Sequence, residues 1–404
     1  TALYALDTLG TGYRFQTRLL ADGTLKDGVL RGDLILAGGG DPTLDTDGLA
    51  EMAARLKAAG LREVTGRLRV WGGALPFERV IDTTQPEHVG YNPSISGMNL
   101  NYNRVHFEWR RSGGSYAVSM DARSGKYRPE VRVARMAVAS RSLPVYTYAD
   151  KGDHDAWTVA SGALGNGGAR WLPVRKPEAY TAEVFATFAR SHGIALKIGE
   201  QLGAAPGGQV LVTHLSPPLT EILADMLKYS TNLTAELVGM TSTARRRGQV
   251  ASLRASAEEM SAWARNTLGM EGARLVDHSG LGEDSRLTAK AMASALAQVH
   301  GAGALKPLLK PFEMRYDDGQ VNERHPVKVL AKTGTLYFVS SLAGYMTGPD
   351  GRDLAFAIFT ANKTLRDGFD STSGQRPEGA RGWNGRSKGL QQALIERWAT
   401  VYGS

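Results

Sequence analysis

The stretch "VKVLAKTGTL" (327–336) decides how the rest of this sequence is read. Its apolar run has strand character and closes on Lys332-Thr333-Gly334-Thr335. Downstream, "SLAGYMTGPDGRDLAFAIFTAN" (341–362) is a hairpin that turns at Pro349-Asp350-Gly351. The segment "SKGLQQALIERWATVYG" (387–403) then places Leu390, Leu394, Ile395, Trp398 and Val401 on one helical stripe. Upstream, "SPPLTEILADMLKYS" (216–230) reads as a helix with a Ser cap and Pro at its first position. Its apolar face is Leu219, Ile222, Leu223, Met226 and Leu227, and further helices are expected over 253–267 and 288–300. A helical block followed by antiparallel strands and a terminal helix is an α+β pattern.

The first half has a different texture. Residues 13–44 hold short β-type runs, and Asp-Gly pairs at 22–23 and 27–28 punctuate them as hairpin turns. A helix is expected over 47–60 and a strand over 64–72. From about 100 to 176 the pattern is strand-rich, and helical periodicity returns at 178–193. "GAAPGGQ" (203–209) is a plausible junction between domains. At the start, "TALYALDTLG" (1–10) repeats Leu3, Leu6 and Leu9 at helical spacing, and Gly10 stands where a helix stops.

Composition excludes several chemistries. The 404 residues contain no Cys, which removes disulfides, thiolate zinc sites and cysteine nucleophiles together. None of the eight histidines pairs at metal-ligand spacing, so no metal and no cofactor is expected. No apolar run approaches the ~18 residues of a membrane span. The formal charge of +8 comes from basic residues that are scattered, "ARRRG" (244–248) being the densest run. No nucleic-acid-binding motif accompanies them, so nucleic acid is not an expected partner and the basicity reads as a solvated surface. "LAGGGDP" (36–42) matches neither dinucleotide nor P-loop spacing and reads as a turn.

Two short motifs carry chemistry. A site for a peptide that ends in a carboxylate needs a cation and hydroxyls, and Lys332, Thr333 and Thr335 offer them from one strand. Gly334 leaves the strand bare enough for a substrate backbone to approach. Ser230-Thr231-Asn232 falls at a helix junction, where Ser230 could relay a proton and Asn232 could orient an amide. Alone, the first motif is also an exposed strand end, and the second is also a helix end followed by a cap.

Their order changes the weighing. S-x-N, then about a hundred residues, then K-T-G leading into a hairpin and terminal helix, resembles the class C low-molecular-mass penicillin-binding proteins. This is the D-Ala-D-Ala carboxypeptidase/endopeptidase family of the penicillin-binding protein 4 type. "GDLILAGGGDPTL" (32–44), "SGMNLNYNRV" (96–105), "LVDHSGLGEDSRLT" (275–288) and "AKTGTL…SSLAGYM" (331–346) are similar to that family too. The resemblance implies a β-lactamase/transpeptidase-like domain, an antiparallel sheet flanked by helices, made of 1–14 and 203–404. A large strand-rich insertion, 15–202, would interrupt it, with a nested strand-rich subdomain near 75–175. Asp277, Ser279 and Gly280 would form a structural loop near the site.

The implied activity is that of a periplasmic, secreted serine D-Ala-D-Ala carboxypeptidase, extended to endopeptidase action on peptidoglycan crosslinks. Ser230, Asn232 and Lys332 would be catalytic, while Thr333, Gly334 and Thr335 would bind substrate. Peptidoglycan stem peptides would be the substrates and β-lactam antibiotics the inhibitors, with peripheral membrane contact left open. The family also needs S-x-x-K, whose Ser attacks and whose Lys assists it. No lysine in residues 1–404 has Ser three positions before it. Because that motif runs into a stretch resembling residues 1–10, it is expected just upstream of Thr1, as is the signal peptide. The alternatives are a catalytically inactive peptidoglycan-binding scaffold of the same fold and a β-lactamase, against which the large insertion argues.

Overall fold

The computed structural model describes residues 1–316, 318–370 and 376–402. The chain begins in α1 (Ala2–Leu9), whose Tyr4 is fully buried and packs on Trp263 at 5.3 Å between ring centroids. Strands β1 (Gln16–Lys26) and β2 (Val29–Gly38) follow as a hairpin, then α2 (Thr46–Ala58), β3 (Glu63–Val64) and β4 (Leu68–Trp71). The hairpin turns at Asp27-Gly28, as expected, but Asp22-Gly23 is not a turn. β1 runs straight through it, with Asp22 opposite Asp33 and Gly23 opposite Gly32. Both glycines have positive φ, 143° and 149°, and a Cβ on either would lie 2.0–2.2 Å from the facing carbonyl oxygen. This Gly-Gly pair permits a close backbone approach that no side chain allows.

Six strands form two three-stranded sheets beyond this hairpin: β5 (Arg104–Ser112), β6 (Ser115–Asp121), β7 (Ala134–Ala139), β8 (Tyr146–Asp150), β9 (Asp155–Ala160) and β10 (Gly167–Pro173). Their orders are β10-β5-β6 and β7-β9-β8. α3 (Pro177–Ser191) then leads to β11 (Gln209–Leu215). One apolar core, from Leu19 to Val212, joins α2, α3 and these sheets.

β11 pairs with β1 in register Gln16↔Leu215, so the chain enters and leaves the insertion on neighbouring strands. Ser216 does not cap the next helix. Its Oγ accepts from the Phe15 N–H at 2.9 Å and ties the two crossings together. Pro218 stands at the cap position without a side-chain bond.

The helical block is α4 (Leu219–Tyr229), α5 (Asn232–Arg247), α6 (Leu253–Leu268) and α7 (Ala289–His300). Antiparallel strands β12 (Lys310–Pro311), β13 (Lys328–Leu336), β14 (Val339–Thr347) and β15 (Asp353–Ala361) follow in spatial order. α8 (Lys363–Asp367) and α9 (Ala380–Tyr402) close the described chain. Period-two alternation splits the sheet's residues. Leu330, Ala343 and Tyr345 pack with α1, α4 and α7, whereas Val329, Ala331, Leu342 and Ile358 pack with Ile395 and Ala399 of α9. This is the α+β arrangement the sequence implied: an antiparallel sheet flanked by helices, interrupted early by a strand-rich insertion.

Candidate active site

Ser230, Asn232, Lys332, Thr333, Gly334 and Thr335 all line one cleft of about 1240 Å³. Ser230 is the residue at which α4 ends, in the left-handed conformation with φ 57° and ψ 50°. That conformation is uncommon outside glycine and of the kind found at functional sites. It lets α5 start two residues later and leaves the Ser230 hydroxyl exposed between the helices.

Alternation puts Lys332 on the Leu330 face of β13, toward the end of α4. Its Nζ donates to Ser230 Oγ at 2.8 Å and to the Thr333 carbonyl. Burial, with Lys310 nearby adding repulsion, pushes this ammonium down to about 8. β12 pairs only with Leu330 and Ala331, so among the described residues no strand covers the outer edge of β13 beyond Ala331. An extended peptide can add there through its backbone.

A Cβ at Gly334 would lie 2.4 Å from Ser341 Oγ, so the missing side chain makes room for the β14 serine, which also lines the cleft.

Asn232 Nδ2 donates to the Tyr91 carbonyl at 2.9 Å, so the insertion supplies one wall. Tyr91 belongs to a segment that two buried residues pin. Asn92 Oδ1 accepts from the N–H groups of Ile81 and Asp82, at 2.9 and 3.0 Å. The Arg175 guanidinium donates to the carbonyls of Arg79, Glu87 and Asn92 at 2.8–3.1 Å.

The opposite wall contains Ser279, Gly280 and Leu281. Asp277 accepts from the N–H groups of Gly280 and Gly282, each at 2.6 Å. Glu236, fully buried one turn after Asn232, accepts from His278 N–H and Ser279 N–H, each at 2.9 Å. Burial, with the Asp277 charge adding, pushes Glu236 up to about 8. The His278 ring packs so tightly on α5 that a Cβ at Gly239 would lie 2.1 Å from its Nδ1. Thr1 donates from its hydroxyl to the His278 carbonyl, so α1 starts directly behind this loop. Sequence reasoning missed Glu236, although an acid in the apolar run "NLTAELVGM" (232–240) is the signal that marks it.

The remaining wall is cationic. Besides Lys332, the cleft is lined by Arg170, Arg366, Arg376, Arg381 and Lys388, and among the described residues by no Asp or Glu. Six basic positions that look scattered in the sequence therefore converge on this cleft.

The chain is 29% identical over 436 residues to a D-alanyl-D-alanine carboxypeptidase of Actinomadura sp. (strain R39), covering 96% of this chain and 79% of that protein. It is 26% identical over 391 residues to the D-alanyl-D-alanine carboxypeptidase DacB of Haemophilus influenzae, covering 89% and 78%. The crystal structure of penicillin binding protein 4 (dacB) from Haemophilus influenzae matches with a TM-score of 0.73 at 22% identity, over 98% of this chain and 89% of that one. A second structure of that protein, complexed with a β-lactam, matches with a TM-score of 0.74 at 21% identity, over 98% and 88%. The family model described as D-Ala-D-Ala carboxypeptidase 3 (S13) matches residues 1–377, and with a cleft that gathers S-x-N and K-T-G on an α+β scaffold, the chain belongs to that family of serine-type D-Ala-D-Ala carboxypeptidases.

Proposed function

We propose that the cleft cleaves the terminal D-Ala-D-Ala bond of peptidoglycan stem peptides through an acyl-enzyme. The observation that carries this reading is the meeting of Ser230, Asn232 and Lys332 to Thr335 at the uncovered edge of β13. The substrate's terminal carboxylate sits against Lys332, Thr333 and Thr335, and its backbone extends along that edge. Asn232 holds the amide of the acyl part. The attacking serine gives its proton to the lysine of its S-x-x-K motif as it adds to the penultimate carbonyl, and the Thr335 N–H supports the oxyanion. Ser230, bonded to Lys332 Nζ, passes a proton to the departing amine of D-alanine. Water then hydrolyses the ester. Crosslink cleavage is the same chemistry with a larger amine leaving.

Residues 1–404 contain no S-x-x-K, so the attacking serine and its lysine are the part of this reading that the family resemblance alone supplies. A periplasmic setting follows from the substrate. Among the described residues no helix is long and apolar enough to cross a membrane. β-Lactams mimic the substrate and are expected to acylate the same serine, and the Haemophilus influenzae protein of the same fold has been captured with one.

Intact-mass measurement tests this reading. Protein whose N-terminus has been verified to carry S-x-x-K gains the mass of one benzylpenicillin and releases D-alanine from an acetylated D-Ala-D-Ala peptide. No adduct and no D-alanine from that protein would leave only the scaffold role.

A further inference from the structure

A single terminal carboxylate needs one cation, and Lys332 with its neighbouring hydroxyls provides it. The cleft holds five more cations and, among the described residues, no lining carboxylate. Their arrangement is built rather than random. Arg381, Asn384, Gly385 and Lys388 stand at i, i+3, i+4 and i+7 of α9 and form the stripe of that helix that lines the cleft. Asn384 Nδ2 donates to the Leu336 carbonyl at 3.0 Å, which fixes this stripe against the end of β13. A Cβ at Gly385 would meet nothing within 4 Å, so open space separates the two cations. Arg366 Nη1 donates to the Tyr337 carbonyl at 3.2 Å, and its other nitrogen lies 3.6 Å from Glu283. From the insertion, Arg170 faces the same space with its guanidinium over the Tyr146 ring at 5.0 Å. Arg381 and Lys388 are exposed and form no ion pair among the described residues.

Arg381 and Lys388 thus leave positive charge uncompensated, and charge of one sign in a walled cleft raises the local concentration of the opposite sign and orients it. We propose that Arg366, Arg381 and Lys388, with Arg170 across the cleft, form a subsite for free carboxylates of the substrate other than its terminal one. The cleft thereby selects stem peptides whose internal carboxylates are free over those whose carboxylates are amidated. This rests on the proposed function, because it assumes that a stem peptide lies along β13.

The test is a pair of N-acetylated pentapeptides ending in D-Ala-D-Ala, identical except that their internal carboxylates are free or amidated. Dissociation constants are read by NMR titration, which needs no nucleophile, at about 0.05 M and about 0.3 M salt. The free-carboxylate peptide is expected to bind about tenfold more tightly at low salt, and the preference shrinks at high salt. In Arg381→Gln/Lys388→Gln the ratio falls to within about twofold of unity, whereas Arg381→Lys/Lys388→Arg retains it. Equal affinities in the unmodified protein, or an unchanged ratio in the double Gln variant, would overturn the subsite and leave the proposed function standing. Binding of neither peptide would overturn both.

Discussion

Lys332 gives the cleft a pH dependence that can be worked out in advance. Burial, then repulsion from Lys310 on β12, lowers this ammonium from its ordinary 10.5 to about 8. Its Nζ is held by Ser230 Oγ and the Thr333 carbonyl, and neither bond carries a counter-charge. A substrate carboxylate is attracted by the ammonium and not by the amine. The affinity is therefore full below pH 8 and declines above it. With a pKa of about 8, about nine-tenths of the molecules carry the charge at pH 7 and about one-tenth at pH 9. The dissociation constant of an N-acetylated D-Ala-D-Ala peptide should thus rise about tenfold between those values, approaching a decade per pH unit beyond. The peptide has no amine of its own to titrate. Glu236, pushed up to about 8 behind the Ser279 loop, does titrate in the same range. Lys332→Arg separates the two, because a guanidinium keeps its charge across the range while Glu236 is untouched. The Arg variant should bind more weakly at pH 7 through its different geometry, but with a flat profile. An equally steep profile in both proteins would assign the titration to Glu236, and a flat profile in the unmodified protein would remove Lys332 from carboxylate binding.

Two further substitutions probe the walls. Asn232→Ala deletes the donor to the Tyr91 carbonyl along with the amide contact proposed for the substrate. It should slow benzylpenicillin acylation of the S-x-x-K-containing protein about tenfold or more and cost about 1 kcal/mol in urea unfolding; an unchanged acylation rate would exclude Asn232 from acyl binding. Gly239→Ala drives a methyl into the His278 ring, which Ser256 Oγ holds at 2.7 Å on its far side. Overpacking of this kind costs about 1–3 kcal/mol, and by displacing Ser279 it should slow acylation as well. A variant with wild-type stability would show that the loop can retreat without consequence.

The sequence exposed those parts of the protein that are encoded locally. Strand β13, the hairpin that follows it and the stripe of α4 each rest on a periodicity contained in fewer than twenty-five residues, and the chemistry of K-T-G sits inside one of them. Features made by distant partners stayed hidden. Glu236 acts on N–H groups 42 and 43 positions away, and Arg175 on carbonyls 83 to 96 positions away, so neither role leaves a pattern in its neighbourhood. Glycine misled in both directions. Asp22-Gly23 carries turn chemistry, yet continuous pairing with β2 through both residues overrides it. α9 was expected from 387 but starts at Ala380, through "ARGWNGRSKG" (380–389), whose three glycines disfavour a helix. Tertiary contacts supply what propensity lacks: Trp383 meets Phe338 at 6.3 Å, Asn384 bonds the Leu336 carbonyl, and Gln391 donates to Ser340 Oγ at 3.0 Å. The turn of helix that propensity hides is the one that carries Arg381, and it stands at the right phase only because these contacts hold it. The charge of the cleft is therefore a property of the fold: the same basic residues on an unfolded chain are scattered, and only the docking of α9 against β13 and β14 makes them a wall.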